Sequence, residues 1–247
     1  MRVALLGLPQ SGKKTLFTLL TGRAVPAARK AHEELEGAAP VADPRVDRLA
    51  AMYRPRRITH AENQFVLCPD VGEGERRAWY DAARGCDLLC LVVRAFADER
   101  VYHPLGGVDA ERDLDLLMTE LVIADLERVM NRILRIEKEK TRGPSPARDL
   151  EERALRKVWE ALDAGRCCDA ARLDDGERRA LQGMGLATLR PALAVLNISE
   201  QAGAGPAGGP GPAAPGAERF LISARLEREV REIDDPDERR AFLAAAG

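Results

Sequence analysis

Aromatic residues are scarce in this chain of 247, at 4%, against 32% charged residues, a balance that suits helix-rich structure. No apolar run approaches the length of a membrane span. No basic–apolar–small signal segment opens the chain, which enters an apolar stretch at once. Charge of one sign is not in excess. A net charge of −2 gives no global pull toward nucleic acid or acidic membranes, and leaves only local patches. The histidines His32, His60 and His103 are scattered and form no motif. The five cysteines are odd in number and lack framework spacing, which points to a reducing, cytoplasmic compartment. Cys86 and Cys90 lie in or beside an apolar strand and read as core. Adjacent Cys167 and Cys168 make a poor zinc ligand set, and no metal site is expected.

What is present is concentrated first in Val3 to Leu20. Val3-Ala4-Leu5-Leu6 is short and apolar enough for one buried strand. Gly7-Leu8-Pro9-Gln10-Ser11-Gly12-Lys13-Lys14-Thr15 follows, and then Leu16, Phe17, Leu19 and Leu20 recur at helical spacing. Strand, glycine-bounded loop, lysine and helix are the layout of a phosphate-binding P-loop, G-x-x-x-x-G-K-[ST]. Gly7 and Gly12 permit close backbone approach. The amides from Gln10, Ser11 and Gly12 to Thr15 are expected to form an anion nest, and the helix adds its positive end. Lys13 is expected to reach the outer phosphates. Lys14, however, stands where a Ser or Thr hydroxyl normally holds magnesium.

Further along, Gly22 to Glu36 reads as a mobile loop and Ala38 to Ala42 as a short strand. Asp43-Pro44 starts a helix running to Tyr53, with an Asp cap and Pro at the first position. Gln64 to Cys68 is a strand candidate, and Arg76 to Ala83 a short helix. Leu88 to Val93, apolar throughout, suits a central parallel strand. Asp113 to Lys140 and Arg148 to Leu162 carry apolar stripes and are parted by Gly143-Pro144-Ser145-Pro146, which predicts a helical hairpin. Its charged outer faces fit solvent or a nucleic-acid arm. Asp175 to Gln182 is a third, shorter helix. Pro191 to Asn197 and Arg219 to Ala224 read as strands, and Asp235-Pro236 starts a last helix. The predicted architecture is α/β, a P-loop, GTPase-like and mostly parallel sheet with a helical-hairpin insertion. Residues 1–112 and 188–247 form the nucleotide-binding domain and 113–187 the insertion; 201–217 is a Gly/Pro/Ala-rich flexible loop within the first.

Ligands in such folds sit at the carboxyl ends of strands. Asn197-Ile198-Ser199-Glu200 follows one strand and Ser223-Ala224 ends the next. GTPases read guanine at these places with N-K-x-D and S-A. Here no Lys is available to stack on the base, and Glu replaces the Asp that pairs with guanine, which weakens guanine recognition. Several further segments carry a resemblance: Asp43-Pro44-Arg45-Val46-Asp47, Val92-Val93-Arg94-Ala95-Phe96, Thr119 to Leu126, and Ile233-Asp234-Asp235 to Phe242. With the phosphate loop and N-x-x-E, they resemble, in order and spacing, the YchF or Obg-like ATPase family. The resemblance implies a GTPase-like core with a coiled-coil insertion. It also implies ATP preferred over GTP, association with the ribosome or translation, and a C-terminal TGS domain, which is not expected in this chain.

The departures share one theme. Lys14 replaces the magnesium ligand, no Thr occurs between Ala24 and Gly37, and Leu67 stands where the Asp of D-x-x-G belongs, with Asp70 three places on. Magnesium neutralises charge between the outer phosphates, and of the residues here only Lys14 could stand partly in its place. The expectation is a purine-nucleotide-binding protein in which Gln10, Ser11, Gly12, Lys13, Lys14 and Thr15 hold phosphates. Asn197, Ile198, Glu200, Ser223 and Ala224 hold the base. ATP or GTP is the ligand, magnesium lacks its usual ligands, and hydrolysis is slow or absent. The alternative is an active Obg-like ATPase in which Asp70 serves the metal. A small-metabolite kinase would leave N-x-x-E unexplained.

Overall fold

A computed structural model describes residues 1–28, 30, 32–72, 77–199 and 218–246. In chain order its elements are β1 (Arg2–Leu6), α1 (Lys13–Thr21), β2 (Leu35–Pro40), α2 (Pro44–Tyr53), β3 (Glu62–Leu67), α3 (Ala78–Ala83) and β4 (Leu88–Ala95). Then come α4 (Ala110–Glu139), α5 (Pro146–Asp163), α6 (Asp175–Leu181), β5 (Ala192–Ile198), β6 (Glu218–Ile222), α7 (Ala224–Glu232) and α8 (Pro236–Ala246). Six strands form one sheet in the order β2-β3-β1-β4-β5-β6. Every neighbouring pair is parallel except β2 with β3. Among the described residues no helix is long and apolar enough to cross a membrane.

The apolar runs of β1 and β4 follow from their place in the middle of this sheet. Successive side chains leave a strand on opposite faces. Val3 and Leu5 of β1, with Cys90 and Val92 of β4, pack on Leu16 and Phe17 of α1. Ala4 and Leu6, with Leu89, Leu91 and Val93, pack on Trp79 and Tyr80 of α3 and Leu114, Leu117 and Leu121 of α4. Both faces are covered, so neither strand shows an apolar–polar alternation.

The long helix α4 serves two cores. Its first half lies on the sheet, and its second half packs Val129 and Ile136 against Leu155, Val158 and Leu162 of α5. Asp109 caps α4, and Ser145 caps α5 with Pro146 at its first position. Between the two cores sits Asp125, fully buried. Its carboxylate accepts from Tyr80 Oη at 2.5 Å, from Ala187 N at 2.9 Å, and from Thr188 N and Oγ1 at 2.7 Å each. These donors offset the cost of burying the acid and tie α3, α4 and the return to β5 together. Burial, and then the Asp125 charge, push the Tyr80 phenol well up from its ordinary value.

Two elements differ from the sequence reading. β2 begins at Leu35, inside the stretch read as a loop, because antiparallel pairing with β3 supplies the order that its weak strand formers do not. α2 extends as expected from its Asp43 cap but buries none of its residues. α7 was not anticipated: its nine residues are dominated by charge, with Leu226 and Val230 as a lone apolar pair four apart, and Ser223 starts the helix by accepting from Leu226 N.

Candidate nucleotide site

The phosphate loop leaves β1 at Leu6 and enters α1 at Lys13. A Cβ on Gly7 would stand 2.3 Å from Val92 O, so only glycine lets the loop pass over β4. Gly12 has φ 97°, and a Cβ there would meet Asn197 Nδ2 at 2.2 Å. Gln10 shares the left-handed region at φ 62°. Gly12 caps α1 without a side-chain acceptor, and the first intrahelical bond is Leu16 N to Gly12 O at 3.0 Å. The amides of the first turn are thus available to an anion, at the positive end of the helix. Ser11 Oγ is buried and has no partner among the described residues, a polar atom left over at the same loop. A phosphate fits this cradle.

Lys13 is 3% exposed. Its Nζ donates to Gly7 O at 2.7 Å and Pro69 O at 3.4 Å, and lies 2.5 Å from Asp70 Oδ1. Asp70, displaced from the place of a metal ligand by sequence count, sits on the phosphate lysine. Leu67, in the place of the D-x-x-G aspartate, is fully buried. Lys14 is exposed and lines a groove of about 400 Å³ with Thr15, Thr18, Leu19, Ala24 to Ala27 and Arg228. At the motif's magnesium places the chain thus carries an ammonium, a leucine and a loop without threonine, where the ion takes oxygen ligands.

The other end is a pocket of about 520 Å³. Of the residues expected from sequence, Gln10, Gly12, Thr15, Asn197, Ile198, Ser223 and Ala224 line it, together with Ser199. Asn197, 5% exposed, is its organiser. Nδ2 donates to Ser11 O at 3.1 Å and Oδ1 accepts from Ala224 N at 3.1 Å, so one side chain joins the phosphate loop to the start of α7. Thr15 lines both this pocket and the Lys14 groove, which makes the two spaces neighbours. Glu200 and the 201–217 loop lie outside the described residues.

Sequence reasoning missed the wall opposite. Phe96, Ala97, Asp98, Arg100 and Val101 close the pocket, and Arg225 and Arg228 of α7 stand at its mouth. Arg94, 3% exposed, shapes this wall from behind. Its guanidinium donates to the carbonyls of Phe96 (3.1 Å), Asp98 (3.1 Å), Val101 (3.0 Å) and Tyr102 (3.2 Å), and lies 4.6 Å from the Phe96 ring centre. Arg100 beside Asp98 holds that carboxyl down at about 2. A larger cleft of about 780 Å³ lies against α3, α4 and α6. Its charges largely pair with one another, Arg77 with Glu127 at 2.7 Å and Arg132 with Glu151 at 2.6 Å, and it has no phosphate loop.

A parallel sheet, a glycine-bounded loop running into α1, and an Asn at the end of β5 that grips that loop define a P-loop nucleotide-binding protein of the GTPase-like class. No protein-family model matches the chain. Individual proteins do. The chain is 30% identical over 262 aligned positions to the ribosome-binding ATPase YchF of Haemophilus influenzae, covering all of this chain and 71% of that one. It is 29% identical to the protein of the same name from Pasteurella multocida, with the same coverage. The YchF GTPase structure of Schizosaccharomyces pombe superposes with a TM-score of 0.80 at 23% identity, over all of this chain and 71% of that one, and shares its fold. The chain belongs to the YchF family.

Proposed function

We propose that this chain binds a purine nucleotide, adenine in preference to guanine, and turns it over slowly or not at all. Residues Gln10 to Thr15 hold the phosphates. Asn197, Ile198, Glu200, Ser223 and Ala224 hold the base, with residues 1–112 and 188–247 as the binding unit and 113–187 as the insertion. The observation that carries the reading is at the phosphate end: Lys13 is already paired with Asp70, and Lys14 stands where a magnesium ligand belongs. A transition state that lacks one charge-assisted hydrogen bond is less stable by about 1.5–3 kcal/mol. Every ~1.4 kcal/mol is tenfold in rate, so the want of several such bonds amounts to several powers of ten. Bacterial relatives are named ribosome-binding ATPases, which supports adenine and makes the ribosome the first partner to examine, in the cytoplasm.

The second reading is an active ATPase with Asp70 serving the metal, and the place of Asp70 beside the outer-phosphate lysine favours it. Single-turnover ATP hydrolysis, with and without magnesium, separates the two. The expected result is a very slow rate that magnesium barely alters and that Lys14→Ser raises. A brisk, magnesium-dependent rate in the unaltered chain overturns the first reading.

A further inference from the structure

We infer that Asp70 sets the number of phosphates the site accepts: its carboxylate takes the outer-phosphate place on Lys13, and the site holds a nucleoside diphosphate more tightly than a triphosphate. This rests on the nucleotide-binding reading above and sharpens it.

An ammonium has three protons to donate. Those of Lys13 have Gly7 O, Pro69 O and Asp70 Oδ1 within reach, at 2.7, 3.4 and 2.5 Å. The carboxylate is the charged partner among them, so it is the one that a phosphate oxygen would have to replace. The pair is sheltered, with Lys13 at 3% exposure and the Asp70 side chain at 22%. Shelter strengthens the attraction and slows its exchange for a solvated ligand.

The backbone that carries Asp70 is held in place. Cys68 before it and Val71 after it are buried at 1% and 2% exposure. Cys68 N donates to Leu5 O and Val71 N to Gly7 O, which fixes the backbone on both sides of Asp70 to β1 and the phosphate loop. A triphosphate would therefore meet a carboxylate that can rotate but not leave, close to its most negative end. Like charges at that range repel, and Lys14 sits in the adjoining groove rather than on this lysine. The inner phosphates have a separate anchor in the amides of the first turn of α1, which does not depend on Lys13. In the D-x-x-G frame that starts at Leu67, Asp70 fills the glycine place, and in the fold that place lies beside Lys13.

The test is calorimetry of ADP and ATP in EDTA, on the unaltered chain and on Asp70→Asn, which keeps size and removes charge. A thermal melt of each confirms that the variant is folded, and Asp70→Gly is the second variant should Asn perturb the loop. The unaltered chain is expected to bind ADP about tenfold or more tightly than ATP. In the variants ATP affinity should rise by about tenfold while ADP affinity changes less than about threefold. ATP binding as tight as ADP in the unaltered chain overturns the inference, as does an ADP-to-ATP ratio that ignores both substitutions. Failure to bind either nucleotide overturns the nucleotide reading itself, and is thereby told apart from a failure of this inference alone.

Discussion

The two ends of the site are built on different principles. At the end proposed for the base the polar groups are buried and satisfied by each other: Asn197 joins Ser11 O to Ala224 N, and Arg94 gathers the carbonyls of the Phe96 to Tyr102 loop. At the phosphate end the backbone scaffold is the same kind of close fit, but the charges stand in unusual places, with Asp70 on Lys13 and an exposed Lys14 beside it. The difference teaches where function and fold are inseparable. Asn197 cannot change without loosening the phosphate loop. Lys14 touches nothing that the fold requires and can change the chemistry alone.

The largest effect should come from breaking the base end. Asn197→Ala orphans one buried carbonyl and one buried amide, at about 1–3 kcal/mol each. For a chain of this size the melting temperature should fall by about 4–12 °C. Nucleotide affinity should fall by at least about tenfold, because the phosphate loop loses its brace as well as the base its neighbour. Lys14→Ala should leave the melting temperature within about 1 °C, as exposed sites do. Equal losses for the two variants, read by thermal melts and calorimetry, would erase the contrast between the ends.

A second prediction divides the ends by ligand. Arg94→Ala removes the donor that shapes the Phe96 wall and leaves four carbonyls to water. Adenosine binding should weaken by about tenfold, while inorganic pyrophosphate, which needs only the phosphate loop, should bind unchanged. Calorimetry with both ligands reads this. A fall in pyrophosphate affinity as large as that for adenosine would mean that the wall braces the whole site.

Much of this was legible in residue order, where a motif and its fold coincide. The glycines of the phosphate loop, the apolar β4 and the two stripes of the hairpin each state their own structure, because period and punctuation are local. Asn197 was singled out in residue order for the base, but its bracing of the phosphate loop was not legible, since Ser11 lies far from it in sequence. The Arg94 wall was not legible either: its acceptors are backbone carbonyls, which every residue carries. The pairing of Lys13 with Asp70 escaped for a related reason. Counting motif places puts Asp70 three positions from where an acid belongs, whereas the register of β3 beside β1 carries it to the lysine. α7 was missed because its apolar period is a single pair, Leu226 and Val230, set among charged residues.

The smallest expected effect sharpens the boundary between the ends. Arg228 on α7 lines both the base pocket and the Lys14 groove, and no carboxylate is paired with it among the described residues. An exposed cation at the seam adds mainly long-range attraction, which salt screens over about 8–10 Å. Arg228→Ala should weaken ADP binding by about threefold at low salt and by nothing measurable at about 0.5 M salt, while adenosine binding stays unchanged. That pattern assigns the arginine to the phosphate end, where it would add to a positive charge that Asp70 partly cancels. An adenosine loss matching that of ADP, insensitive to salt, would assign it instead to the base wall and move the seam between the two ends toward Thr15.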